Sequence, residues 1–187
     1  VERMLFELLE QFRAEALVPA GMPGVRRTLR HRFEAWSLAF HHAGQTDSAR
    51  GLLLYTVAQA CRSRVTGEPV VEATEDLLEN TRAALAPHIG TALAGLRRHR
   101  ADQAGYAPHA LSIARTVAEM SKTSGEDAGD EQRDADDESW SGFSLLVHQG
   151  EEIDNNVATA ASGRSLVLDS SDSGYRIHGT NAPETIG

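Results

Sequence analysis

RMLFELLEQFRAEAL, residues 3–17, runs directly into VPAGMPGV, which ends at Val25. The apolar residues Leu5, Leu8, Leu9, Phe12, Ala16 and Leu17 recur at offsets of three and four, which places them on one side of an α-helix. Glu7, Glu10, Arg13 and Glu15 fall on the other side. Val18, Pro19, Gly21 and Pro23 then lower helical propensity and remove backbone donors, so the helix stops near Val18. A helix with one apolar face needs partners, and the following segments supply them.

Residues 25–42 place Val25, Leu29, Phe33, Trp36 and Phe40 at spacings of four, four, three and four, a second core stripe. Arg26, Arg27, Arg30 and Glu34 lie opposite, and Gly44 provides a stop. Thr46 or Asp47 is the expected N-cap of the next helix. SARGLLLYTVAQACRSRV carries Leu53, Val57, Ala60 and Cys61 on one face, while Leu52, Leu54 and Tyr55 widen it, so this is read as a central helix. It ends at VTGEPV, where Gly67 suits a left-handed turn and Pro69 blocks continuation. Val71, Thr74, Leu77, Leu78, Thr81 and Leu85 form a fourth stripe that ends near Pro87. A shorter piece holds Ile89, Leu93 and Leu96, and the last periodic run is Ala104, Ala107, Leu111, Ala114, Val117 and Met120, with Pro108 inside it. The fold class is all-α: a bundle of five to six helices followed by an acidic, largely disordered tail.

Charge divides the chain at the same place. Through Thr123 there are 15 Lys or Arg against 13 Asp or Glu; the remaining residues hold 3 against 14. A Leu-rich, nearly neutral front buries enough apolar surface to fold, whereas an acid-rich stretch without large apolar residues does not offset its ordering entropy. The expected domains are a helical domain at 1–122, an acidic disordered linker at 123–142 and a mostly irregular tail at 143–187. In that tail 143–147, 166–168 and 175–177 are possible short strands. The single Cys61 excludes an intramolecular disulfide and reads as a small buried hydrophobe in a reducing, cytoplasmic protein. No run approaches the ~18 apolar residues of a membrane span, and no signal-peptide pattern opens the chain. The sequence begins without Met inside a helix and ends just after Pro183, which suits a piece of a longer protein.

Residues that carry chemistry are sparse. His41 and His42 are adjacent and diverge on a helix, His31 is distant, and no His pair has the i, i+4 spacing that aims two imidazoles at one ion. Asp169, Ser171 and Ser173 follow a short apolar run in the D-x-S-x-S order of a metal-ion-dependent adhesion site, whose oxygens suit Mg²⁺. Such a site also needs a Thr and a second Asp far downstream, and only 14 residues follow Ser173, so a chance match is expected. No catalytic, cofactor-binding or metal residue is therefore assigned. No phosphate-binding loop is present and the chain has one Lys. Two arginine clusters, at 26–32 and 97–100, are candidates for polyanion contact through Arg26, Arg27, Arg30, Arg97, Arg98 and Arg100. A domain charge near +2 argues against duplex nucleic acid, so a solvated or internally paired face is the preferred reading, with the chain's own acidic tail as another possible partner.

Phe6, Glu10, Gln11, Arg13, Glu15, Ala16 and Leu17, followed by Met22, Gly24 and Val25, resemble an E-Q-x-R-x-E-A-L string and Met-x-Gly-Val turn of the CobT family, the T subunit of the aerobic, ATP-dependent cobaltochelatase. Thr66, Gly67 and Pro69 are similar to that family's T-G-x-x-P joint, and the string from Gly174 to Ile177 loosely resembles one before its C-terminal domain. The resemblance implies a non-catalytic subunit whose von Willebrand A domain would follow. It also implies a ring-type hetero-oligomer with an AAA+ ATPase subunit and a large catalytic chelatase subunit. That complex would use ATP and Mg²⁺ to insert Co²⁺ into hydrogenobyrinic acid a,c-diamide, with no cofactor held by this region. The alternative is a non-enzymatic helical interaction module with a disordered acidic tail. Neither reading involves a membrane or nucleic acid.

Overall fold

The helix over Ala49–Thr66 is buried round most of its surface: Leu53, Leu54, Tyr55, Val57, Ala58, Cys61 and Val65 are buried, and so are Thr56, Gln59 and Arg62, while Arg64 is exposed. A helix with apolar or internally paired residues round most of its surface must be largely enclosed, and the others enclose it except along the face that carries Arg64. The structure, a computed structural model, describes residues 1–126, 141–144 and 146, all within one compact unit, Val1–His148. In chain order the helices are α1 (Glu2–Ala16), α2 (Pro23–His42), α3 (Ala49–Thr66), a single 3-10 turn at Glu72–Thr74, α4 (Glu75–His99) and α5 (Gln103–Glu126). No strand occurs among the described residues, so the all-α bundle stands.

Local chemistry sets the ends. Ser48 rather than Thr46 or Asp47 caps α3, its hydroxyl accepting from the Gly51 N–H at 2.9 Å. Thr46 is occupied elsewhere, buried and hydrogen-bonded to His41 Nδ1 at 2.8 Å. Gly67 ends α3 at φ +82°, the left-handed position a Cβ would strain. Pro23 opens α2, where its missing N–H costs nothing, and the Arg26 guanidinium braces the preceding turn by donating to the Val18 carbonyl at 2.8 Å.

α1 and α5 run antiparallel, tied by Glu2–Arg115 at one end and by the Tyr106 hydroxyl donating to the Leu9 carbonyl at 2.7 Å nearer the other. α1 buries Met4, Leu5, Leu8, Leu9 and Phe12 as its periodicity predicts, but Leu17 lies past the helix end and is exposed. α2 contributes an aromatic row: Phe33 meets Phe12 edge-on at 5.9 Å, Trp36 lies 5.8 Å from Tyr55, and Phe40 stacks on Tyr55 at 5.6 Å. Val25, expected in that stripe, is exposed in the first turn of α2.

Three further expectations need correction. α4 does not stop at Pro87: it runs unbroken to His99, with Pro87 on an exposed face where the orphaned carbonyl of Ala83 meets water and Leu85 and Ile89 hold the helix from the other side. α5 buries Tyr106, Ala110, Ile113, Ala114, Val117 and Ser121, so its stripe is rotated from the expected one; Ala104 is exposed. Finally, residues 141–144 and 146 are helical rather than extended, and packing continues past residue 122. The Trp36 indole donates to the Gly142 carbonyl at 3.0 Å, Phe143 stands edge-on to Trp36 at 6.0 Å, and Phe143 and Leu146 are buried. The acidic stretch beyond Glu126, Asp169, Ser171, Ser173, the string from Gly174 to Ile177 and the possible strands at 166–168 and 175–177 lie outside the described residues.

Candidate interaction surface

The polar residues of the opening string turn inward. Glu15, on the last turn of α1, accepts from Arg32 of α2 and Arg62 of α3, each at 3.1 Å. The Arg62 guanidinium lies 4.4 Å from the centre of the Phe33 ring, so its faces see an aromatic while its edge sees the carboxylate. Glu10 accepts from Arg13 at 2.9 Å and from Gln103 at 3.3 Å, and Arg13 lies over the Tyr106 ring. The apparently free side of α1 is thus a set of internal braces. A second polar unit closes on itself: Gln59 donates to Ser37, Ser37 to Tyr55, Tyr55 to Thr74 and Thr74 to the Val71 carbonyl, while the Val71 N–H returns to Gln59 Oε1. This ring stitches α2 and α3 to the 3-10 turn and satisfies every buried group in it.

The two arginine clusters differ in how far they are paired internally. Arg26 is used on Val18, Arg30 pairs with Glu68 at 2.9 Å and Arg32 pairs with Glu15, so the first cluster is largely internally committed. The second is not. Arg97 and Arg100 line a cleft of about 570 Å³ between α3 and α4, joined by Arg64 and Arg82, which sequence reading did not single out. Ala60 and Ser63 form one wall, and Leu85, Ile89 and Leu93 the other. No Asp or Glu lines it, and among the described residues none of its four arginines has an ion-pair partner. Arg98 of the same cluster does not line it. The signal that would have found Arg82 is periodicity: residues 82, 86, 90, 93, 97 and 100 repeat at four, four, three, four and three, a stripe beside the core stripe of α4.

Nucleophile chemistry is weak across the described residues. Cys61 is fully buried and desolvation pushes its thiol up to about 12, so it is neutral at physiological pH and poorly nucleophilic. Burial likewise raises the Tyr106 phenol, with Cys61 and Glu10 adding to the rise and Arg13 opposing it. His31 and His88 are exposed, and His99 stacks on His109 at 5.5 Å. Among the described residues no three His, Cys, Asp or Glu side chains gather as a metal site, and no helix is long and apolar enough to cross a membrane. What the geometry offers is a charged, open contact surface.

The family model described as Cobalamin biosynthesis protein CobT matches residues 2–162, which takes in every described helix from α1 to α5 and the turn against Trp36. Neither a curated protein nor a solved structure matches the chain.

Proposed function

The chain belongs to the CobT family and so takes part in cobalamin biosynthesis, and from that premise we propose that it serves as the helical contact region of a T-type cobaltochelatase subunit. Its role is to bring an AAA+ ATPase subunit and a large catalytic chelatase subunit into one ring-type assembly in the cytoplasm. That assembly spends ATP with Mg²⁺ to place Co²⁺, the metal substrate, in hydrogenobyrinic acid a,c-diamide. ATP, Mg²⁺ and Co²⁺ belong to the partners; this region contributes binding surface and no reacting group. The observation that carries the reading is the family match across the whole bundle. The open arginine-lined cleft supports contact as the means.

The test is capture of each purified subunit by the full chain and by a chain ending at His148, the edge of the compact unit. Retention of the ATPase or the large subunit by both forms is expected. A folded chain that retains neither overturns the proposal. Truncation at Ser124 is unsuitable, because it removes Gly142 and Phe143 from Trp36.

A further inference from the structure

Arg64, Arg82, Arg97 and Arg100 surround the α3–α4 cleft with four like charges that raise one another's electrostatic energy and that nothing acidic along its walls answers. Their spread matters as much as their sign. From Arg82 to Arg100 is five turns of α4, about 27 Å, far longer than a compact anion. The bed between them is apolar and smooth: Ile89 is buried, and a Cβ built on Gly90 would meet nothing within 4 Å. A long trough with an apolar bed and cationic ends is the complement of an acidic amphipathic helix or extended segment.

The chain's own acids fit this trough poorly. Eight Asp or Glu lie at positions 126–138, tethered between α5 and Gly142. Both tethers are at the end of the bundle where Ser121 meets Arg50 and Gly142 meets Trp36. Arg97 and Arg100 are at the opposite end, beside the start of α5, about 36 Å away along that helix. The link of residues 127–140, going out and back, extends about 25 Å at full stretch. At that stretch it falls short of Arg97 and Arg100, and apart from Trp140, two residues before the Gly142 tether, its only apolar residue type is Ala, so it offers little for the bed.

The geometry points to an acidic amphipathic segment of a partner protein as the occupant, laid along α4 with apolar side chains on Ile89, Gly90 and Leu93 and carboxylates on the arginines. The inference rests on the contact role proposed above only in requiring a partner.

The test uses the full chain and a labelled 16-residue peptide with Leu at i, i+4 spacing and Glu elsewhere. Its controls are a scramble of identical composition and a peptide of residues 124–140, each followed by fluorescence anisotropy. Gly90→Phe should weaken the amphipathic peptide about tenfold by filling the bed, and Arg97→Glu with Arg100→Glu by at least as much. Arg98→Glu, one residue from the cleft with the same charge change as either single reversal, should stay within about twofold, and the scramble should bind about fivefold more weakly. Unchanged far-ultraviolet circular dichroism verifies that each variant is folded. Equal weakening by Arg98→Glu, equal binding of the scramble, tighter binding of the 124–140 peptide, or no binding of any peptide would each overturn the assignment. Gly90→Phe then enters the subunit capture experiment. Capture lost with this variant alone supports the cleft, capture retained refutes the cleft while leaving the contact role intact, and failure of capture by the unaltered chain refutes the role itself.

Discussion

Glu15 receives guanidinium groups from two helices and is itself almost wholly shielded, its side chain 6% exposed and that of Arg62 5%. Removing the acid leaves two cations in a site that water reaches poorly, which is worse than never having placed them there. Glu15→Ala should therefore destabilise the chain by about 3–5 kcal/mol in urea unfolding, more than Glu7→Ala on the exposed face. Cys61 makes a second prediction, in pH. Its folded thiol titrates at about 12, above the ordinary value of 9.0, so both states hold the proton below pH 9 and stability there is unaffected. Between pH 9 and 12 the unfolded chain loses a proton that the folded chain keeps. Stability should then fall by about 1.4 kcal/mol per pH unit, and Cys61→Ala should remove that part of the slope. Tyr106, raised in the same sense, adds to the loss above pH 10. The string around Glu15 was legible from sequence as something amphipathicity does not dictate. Its partners were not, because Arg32 and Arg62 are 17 and 47 residues away and only tertiary packing joins them.

Individual helices were legible where one periodicity ran between clear stops. α1 and α3 follow that rule, down to Gly67 as the left-handed terminator. α4 breaks it at Pro87, because local propensity treats proline as an end whereas packing of Leu85 and Ile89 holds both halves in line. Since Pro87 lies on the exposed face, replacing it should restore the hydrogen bond to Ala83 without disturbing a contact. Pro87→Ala should stabilise by about 1–3 kcal/mol, read as a rise in Tm, and a fall in Tm would mean that the proline shapes the helix for packing. The arginine stripe of α4 was half visible for a related reason. Arg97 and Arg100 cluster in sequence, while Arg82 and Arg64 join them only through four turns of one helix and the placement of another.

On the scale of the whole molecule, composition located the change from apolar bundle to acidic stretch but not the return of the chain to the bundle. A short apolar piece after an acidic run reads as part of a tail, and nothing local distinguishes Gly142 and Phe143 from the other such pieces. The structure does so through Trp36, whose indole N–H has the Gly142 carbonyl as its partner and whose ring is flanked by Phe143. A Cβ at Gly142 would meet the end of the Gln45 side chain, which would have to shift to admit it. Removing this turn exposes the Phe143 and Leu146 sites and orphans one indole N–H. Burial of each apolar side chain contributes about 1.5–3 kcal/mol and the hydrogen bond about 1 kcal/mol, offset in part by the ordering of the turn. A chain ending at Thr123 should consequently be less stable than one ending at His148 by about 2–4 kcal/mol, although both keep α1–α4 and nearly all of α5. With Trp140→Phe in the longer chain, Trp36 is the sole tryptophan in both, and its emission should shift to the red in the shorter one as water replaces Phe143. Equal stability and equal emission would show that the bundle is complete without the turn. Since Trp36 also contacts Tyr55 of α3, loss of the turn should loosen the hydrogen-bonded ring through Ser37 and Thr74, and amide exchange at Val71 would report that loosening directly.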